Sequence, residues 1–188
     1  MNRIRSAALA AVFGLAAFGV VQSGPVFAET SVTVGGAPMY PSKTIVENAV
    51  NSKDHTTLVA AVKAANLVST LEGAGPFTVF APTNEAFKKL PAGTVENLLK
   101  PENQAQLQAV LTYHVVPGAV TSKDLLEKIA AGGGKAELKT VQGETLTAEK
   151  KGKSIEIVDS KGDVARVTIP NVMQSNGVIH VINTVLLP

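Results

Sequence analysis

The chain has 188 residues, 45% of them hydrophobic, with 17 Lys+Arg against 15 Asp+Glu and no cysteine. The missing cysteine excludes every disulfide and a lipid-modified N-terminal Cys, so stability rests on the hydrophobic core. Setting aside Arg3 and Arg5 at the N-terminus leaves 15 basic against 15 acidic residues, a neutral remainder without the concentrated positive face that nucleic-acid binding requires.

In chain order, Met1 to Ala28 reads as a signal peptide. Arg3 and Arg5 form a basic n-region, Ala7 to Val21 an apolar h-region, and Val26-Phe27-Ala28 a cleavage site with a small residue at its end. The apolar run is too short for a spanning helix of about 20 residues, so the expectation is a secreted, periplasmic or cell-surface protein cleaved near Ala28, with no transmembrane anchor in the mature chain. About 160 residues then remain, enough for one domain that buries about 68–70% of its unfolded surface. Residues 29–42 hold two glycines, two prolines and no period, and read as a flexible leader. The domain proper is expected over 43–188.

Short helices come first. Thr44 with Glu47 has capping-box spacing ahead of Ile45, Val46, Ala49 and Val50. Asp54 is positioned to cap a second helix whose Leu58, Ala61, Val62 and Ala65 form an apolar stripe. After an apolar run over 77–81, Thr83 caps a helix that Phe87 and Leu90 close, and Thr94 caps another ending near Lys100. Pro101 opens a longer helix with Leu107, Val110, Leu111 and His114 on one side. Thr121 and Asp124 cap a helix stopped by Gly132 to Gly134. The last third is β-prone, with runs over 136–140, 145–150, 154–159, 164–169 and 178–187, separated by Gln-Gly, Lys-Gly and Asn-Gly pairs. The fold class that follows is α+β: a twisted antiparallel β-sandwich or folded sheet with a cluster of short helices on one side.

Three segments carry more than secondary structure. Phe77-Thr-Val-Phe-Ala-Pro-Thr-Asn-Glu-Ala-Phe87 joins a buried strand to a capped helix, with Pro82 ending the strand. Asn176-Gly-Val-Ile-His-Val-Ile-Asn-Thr-Val-Leu-Leu-Pro188 opens on an Asn-Gly turn and alternates Val178, His180, Ile182 against Ile179, Val181. Between them stands Tyr113-His-Val-Val-Pro-Gly118. In this order they resemble the fasciclin domain family, whose members share two such boxes and an intervening Tyr-His pair. The resemblance runs from Lys43 to Pro188. It implies a single-domain secreted adhesion or matrix module, not an enzyme, with Phe80, Pro82, Thr83, Asn84, Phe87, Asn176, Gly177 and His180 as structural motif residues. It also implies a partner-binding surface around Tyr113, His114 and Pro117, reading a cell-surface protein or glycan, or a second copy of the chain. Where animal members carry a Lys-Asp pair with Ile-Leu ahead of the second box, this chain has Pro170-Asn171-Val172-Met173, and Asn183 stands where members often carry an acid. Integrin recognition is therefore not implied.

The local sequence offers little chemistry. His55, His114 and His180 lack metal-ligand spacing and read as structural, His114 and His180 as buried or half-buried imidazoles that satisfy backbone groups. No Gly-x-Ser-x-Gly elbow is present, and Gly132-Gly-Gly-Lys135 is followed by Ala136 where a phosphate loop needs Ser or Thr. Glu144, Glu149, Asp159 and Asp163 are expected to face solvent around hairpins. Lys161-Gly162-Asp163 and the Lys150, Lys151, Lys153 group read as hairpin tips. No cofactor or metal is expected. The alternative to adhesion is a binder of a small hydrophobic ligand, haem or metal, contacted by His114, Met173 or His180.

Overall fold

The structure is a computed structural model that describes residues 30–188, so the expected signal peptide lies outside the described residues. The chain opens with a hairpin, β1 (Val32–Val34) and β2 (Ala37–Met39), turning through Gly35 and Gly36. This corrects the flexible leader expected over 29–42. Val34 and Met39 are 2% exposed and belong to the core, so burial fixes the segment despite its glycines and prolines.

Four short helices follow or flank the first motif: α1 (Ile45–Ala49), α2 (Thr56–Ala64), α3 (Val68–Leu71) and, after β3 (Phe77–Pro82), α4 (Asn84–Lys88). Then come α5 (Thr94–Leu98), α6 (Gln104–Tyr113), β4 (Val115–Pro117) and α7 (Ser122–Ala131). The remaining strands are β5 (Lys135–Lys139), β6 (Thr145–Lys151), β7 (Ser154–Val158), β8 (Val164–Gln174) and β9 (Gly177–Ile182). Thr44 with Glu47 and Thr121 with Asp124 form full capping boxes, and Thr83 accepts from the Ala86 amide. Two expected caps fail. Asp54 sits inside a 3-10 turn over Lys53–His55, and the first free amide of α2, Thr57, is taken by Asn84 Oδ1 at 3.0 Å. Thr94 lies inside α5, whose cap is Gly93 at φ 83°.

The seven longer-range strands form one sheet in the order β4-β3-β9-β8-β7-β6-β5. All neighbours are antiparallel except β3 and β9, so the two motif strands run parallel, Phe77 opposite Gly177 through Pro82 opposite Ile182. The expectation of an antiparallel sheet is corrected at this one pair, because the helical stretch and the other strands between the motifs supply the crossover that parallel pairing needs. The expectation that Pro82 ends the strand also shifts by one residue, since Pro82 still pairs. β8 pairs with β7 through Val164–Arg166 and with β9 through Val167–Gln174, and its two bulges, with Asn171 at φ 57°, fall within the part that pairs with β9. Residues 170–174, read as outside a strand, thus extend β8, and β9 stops at Ile182 instead of running to Leu187. The ends of the sheet approach each other, with the Val141 amide 2.8 Å from the Val115 carbonyl. The result is a folded, nearly closed sheet with helices on one side.

Alternation along the two parallel strands divides the interior. Val79, Ala81, Ile179 and Val181 face the helices together with Leu58, Val62, Leu107 and Leu111. Phe80 and Ile182 face the inside of the curved sheet with Tyr113, Leu125, Leu146, Ile157 and Leu186. Every residue of β9 is buried, as expected for a strand covered on both faces. Each fully buried Leu, Ile or Phe contributes about 1.5–3 kcal/mol, so these strands join the two cores into one cooperative body.

Candidate functional site

The Tyr-His pair stands where α6 turns into β4, and both side chains point inward. Tyr113 is 0% exposed and His114 2%. The Tyr113 hydroxyl accepts from the Ser160 amide at 3.0 Å and donates to the Thr145 carbonyl at 3.5 Å. Burial raises its pKa, partly opposed by Ser160. His114 Nδ1 lies 2.8 Å from the Val110 carbonyl, and its Nε2 3.0 Å from the Leu186 amide. A carbonyl can only accept and an amide can only donate, so the ring is the neutral Nδ1–H tautomer. Burial pushes its pKa down to about 4. The surface expected from Tyr113, His114 and Pro117 is corrected accordingly: the pair sits in the core because α6 buries its last turn, and only Pro117 is exposed.

His180 is built the same way. Its Nε2–H donates to the Val120 carbonyl at 2.8 Å, and its Nδ1 accepts from the Asn171 amide at 3.3 Å. Its ring stacks on Phe80 with centroids 5.7 Å apart, and burial lowers its pKa. His55 also has its pKa lowered by burial, partly offset by the backbone of Ala81. Ser52 Oγ meets its Nδ1 at 2.9 Å, while Nε2 has no partner within hydrogen-bonding geometry.

The other motif residues hold distant segments together. Asn84 reaches Thr57, Thr56 and the Lys53 carbonyl. Asn176, expected as a turn former, is 7% exposed; it accepts from the Ile45 amide and donates to the Leu71 and Gly73 carbonyls. Gly177 is required by close approach, since a Cβ there would lie 2.0 Å from the Phe77 carbonyl oxygen. Phe87 is 9% exposed and packs in the helical core.

These constraints converge on the loop after β4. Thr78 Oγ1 donates to the Gly118 carbonyl at 2.6 Å and accepts from the Val120 amide at 2.8 Å. The Gly118 amide donates to the Pro76 carbonyl, His180 takes the Val120 carbonyl, and Asn171 binds both the amide and the hydroxyl of Ser122. Pro117 and Ala119 project from this loop into solvent. Thr78 and Asn171 escaped the sequence reading, although a lone hydroxyl inside an apolar strand is a signal for such a role.

The carboxylates behave differently from expectation at one position. Asp159 is 6% exposed: Oδ1 accepts from the Lys161 and Asp163 amides and Oδ2 from the Leu187 amide. It organises the turn carrying Lys161-Gly162-Asp163 and does not face solvent. The ligand set His114, Met173 and His180 is also corrected. Both nitrogens of each imidazole are engaged, and Met173 is 42% exposed, so the three offer no common coordination site for haem or metal. Among the described residues no group of three His, Cys, Asp or Glu is placed to hold a metal ion, and no helix is long and apolar enough to cross a membrane.

Comparison with known proteins places this geometry. The sequence matches the Fasciclin domain family over residues 53–188. It is 48% identical over 162 residues to protein sll1483 of Synechocystis sp., covering 85% of this chain and 82% of that one. It is 37% identical over 148 residues to the transforming growth factor-beta-induced protein ig-h3 of Sus scrofa, covering 79% of this chain and 20% of that protein. The structure of a domain pair from the insect cell adhesion molecule fasciclin I superimposes with a TM-score of 0.69 at 21% identity, covering 79% of this chain and 52% of that one, a likeness of fold.

Proposed function

The chain belongs to the fasciclin domain family, and on that premise we propose that it is an exported contact module that attaches to a cell-surface protein or glycan, or to another copy of itself, through the loop Pro117–Val120. It works as a binding surface, not as an enzyme. The observation that carries the reading is the pinning of this loop by Thr78, Pro76 and His180, with Asn171 holding the residue that follows Thr121. A loop ordered before contact loses little conformational entropy on binding, which matters for a small patch with limited area to bury. The motif residues act one layer below, as positioning groups. Tyr113 and His114 anchor the end of α6 and the C-terminal segment, and so fix where β4 and Pro117 emerge.

Export follows the signal-peptide reading and places the module at the cell surface or in the periplasm. A single fasciclin domain offers one such loop, so attachment gains strength by clustering of copies. The test is attachment of cells to beads coated with the purified protein. Ala119→Glu, at an exposed position, is expected to reduce attachment at least tenfold with unchanged thermal stability. Equal attachment by Ala119→Glu and the unmodified protein would refute the assignment of this loop.

A further inference from the structure

Among the described residues, the hairpin β1–β2 is the one pair of strands outside the seven-stranded sheet, and its strands pair only with each other. Apolar burial of Val34 and Met39 in the helical core holds it in place. Its turn rests on the segment that precedes α2. The Gly35 carbonyl accepts from the Lys53 amide at 3.3 Å, and a Cβ on Gly35 would lie 2.4 Å from Ser52 Oγ. At the other end, the Asn48 side chain binds both the amide and the carbonyl of Tyr40.

Under this hairpin lies His55. The ring is 3% exposed, and its Nε2 is the one buried side-chain polar atom among the described residues without a hydrogen-bond partner. It borders a void of about 30 Å³ together with Val34 and Met39 of the hairpin and Leu58, Val79 and Ile179. The void has room for one water, but apart from the imidazole its side chains are apolar, short of the two to four polar partners a buried water needs. A second proton on the ring would therefore set a cation against an apolar wall. Burial lowers the pKa of His55 by more than the Ala81 backbone and the adjacent Asp54 carboxylate raise it. No other titratable side chain borders the void, and Lys53 faces solvent. On α4, which Asn84 joins to this turn, Glu85 and Lys88 are exposed and pair with each other. Of the elements around the void the hairpin is the least tied, since β3, β8 and β9 are paired in the sheet and Asn176 holds α1 at the Ile45 amide. Lifting it is the least disruptive way to bring water to the ring.

We propose that the β1–β2 hairpin is a proton-released strap, closed over the neutral His55 ring and swinging away when that ring takes up a second proton. The strap stays closed above the ordinary imidazole value of 6.5 and opens as the pH falls below it, because the open state binds the proton that the closed state refuses. The device is separate from the Pro117–Val120 loop and does not depend on the adhesive reading.

The experiment is amide hydrogen exchange of the isotope-labelled unmodified protein, followed by NMR at several pH values between about 7.5 and about 5. Protection factors, which remove the pH dependence of the exchange chemistry itself, are the quantity compared. Those of Val34 and Met39 should fall by up to roughly tenfold per pH unit below 6.5, the slope of a single coupled proton. Those of Val79 and Ala81 in β3 should stay about a hundredfold or more higher throughout, since the strap opens without the sheet. His55→Gln, which cannot titrate, should keep the protection of Val34 and Met39 level across the same range. The unmodified protein decides the matter even where His55→Gln folds poorly: hairpin protection that does not change with pH overturns the proposal. So does a loss at the hairpin that only keeps step with β3, or an unchanged slope in a folded His55→Gln.

Discussion

Replacing His114 by Phe separates the packing of the imidazole from its hydrogen bonds and its titration. In the native protein the ring is neutral, with a pKa pushed down to about 4 against an ordinary value of 6.5. Between these values the unfolded chain binds a proton that the folded chain refuses, so stability rises with pH across that window. The contribution is fully present above about pH 6.5 and is lost as the pH falls through the folded value. At about 1.4 kcal/mol per pH unit, the span from 6.5 to about 4 amounts to about 3 kcal/mol. Protonation would also put a second N–H against the Leu186 amide, which itself donates. His114→Phe fills similar space but leaves the Val110 carbonyl and the Leu186 amide without these partners, a loss of about 2–4 kcal/mol at pH 7. Urea unfolding at several pH values between 4 and 8 checks both effects. The unmodified protein should lose more stability on acidification than His114→Phe, the difference approaching 3 kcal/mol. Exposed Glu47 and Asp124, whose pKa values are lowered by their capping bonds, contribute equally to both proteins and cancel. Parallel pH profiles for the two proteins, or an NMR titration of His114 near pH 6.5, would refute the reasoning.

Other substitutions probe the scaffold. Asn176→Ala strands the Ile45 amide and the Leu71 and Gly73 carbonyls, and should lower stability in urea by about 3 kcal/mol. Asp159→Ala releases three backbone amides, including that of Leu187, and should destabilise by about 2–4 kcal/mol while leaving the exposed Asp163→Ala within about 0.5 kcal/mol of the unmodified protein, both read by thermal unfolding. Thr121→Ala removes a full capping box and should cost about 1 kcal/mol in the same measurement.

Local relations in this chain were legible in its sequence. Thr44, Thr83 and Thr121 cap the helices they precede, because a cap reaches only three residues along the chain. The apolar stripes of α2 and α6 point as their spacing demands. What the sequence hid was made by distant partners. Asp54 lost its expected cap to Asn84, which approaches from another motif. The leader over 29–42 looked structureless because three-residue strands around two glycines show no period, although pairing and burial hold it. Pro170-Asn171 reads as a break, and the break is a bulge within the part of one long strand that pairs with β9. His114 and His180 satisfy backbone groups as their reading expects, while His55 meets a side chain, the Ser52 hydroxyl. Their partners, Leu186 for His114 and Val120 for His180, lie 72 and 60 residues away, beyond any spacing rule. Burial of Tyr113 and His114 then moved the candidate contact surface from the pair itself to the loop it positions.

Amide hydrogen exchange at that loop tests the account most directly. If Thr78, Pro76 and His180 hold the loop as rigidly as their hydrogen bonds imply, the Gly118 and Val120 amides should exchange slowly, with opening energies near those of β3. Exchange of both amides at the rate of an unstructured peptide, while β3 stays protected, would contradict it.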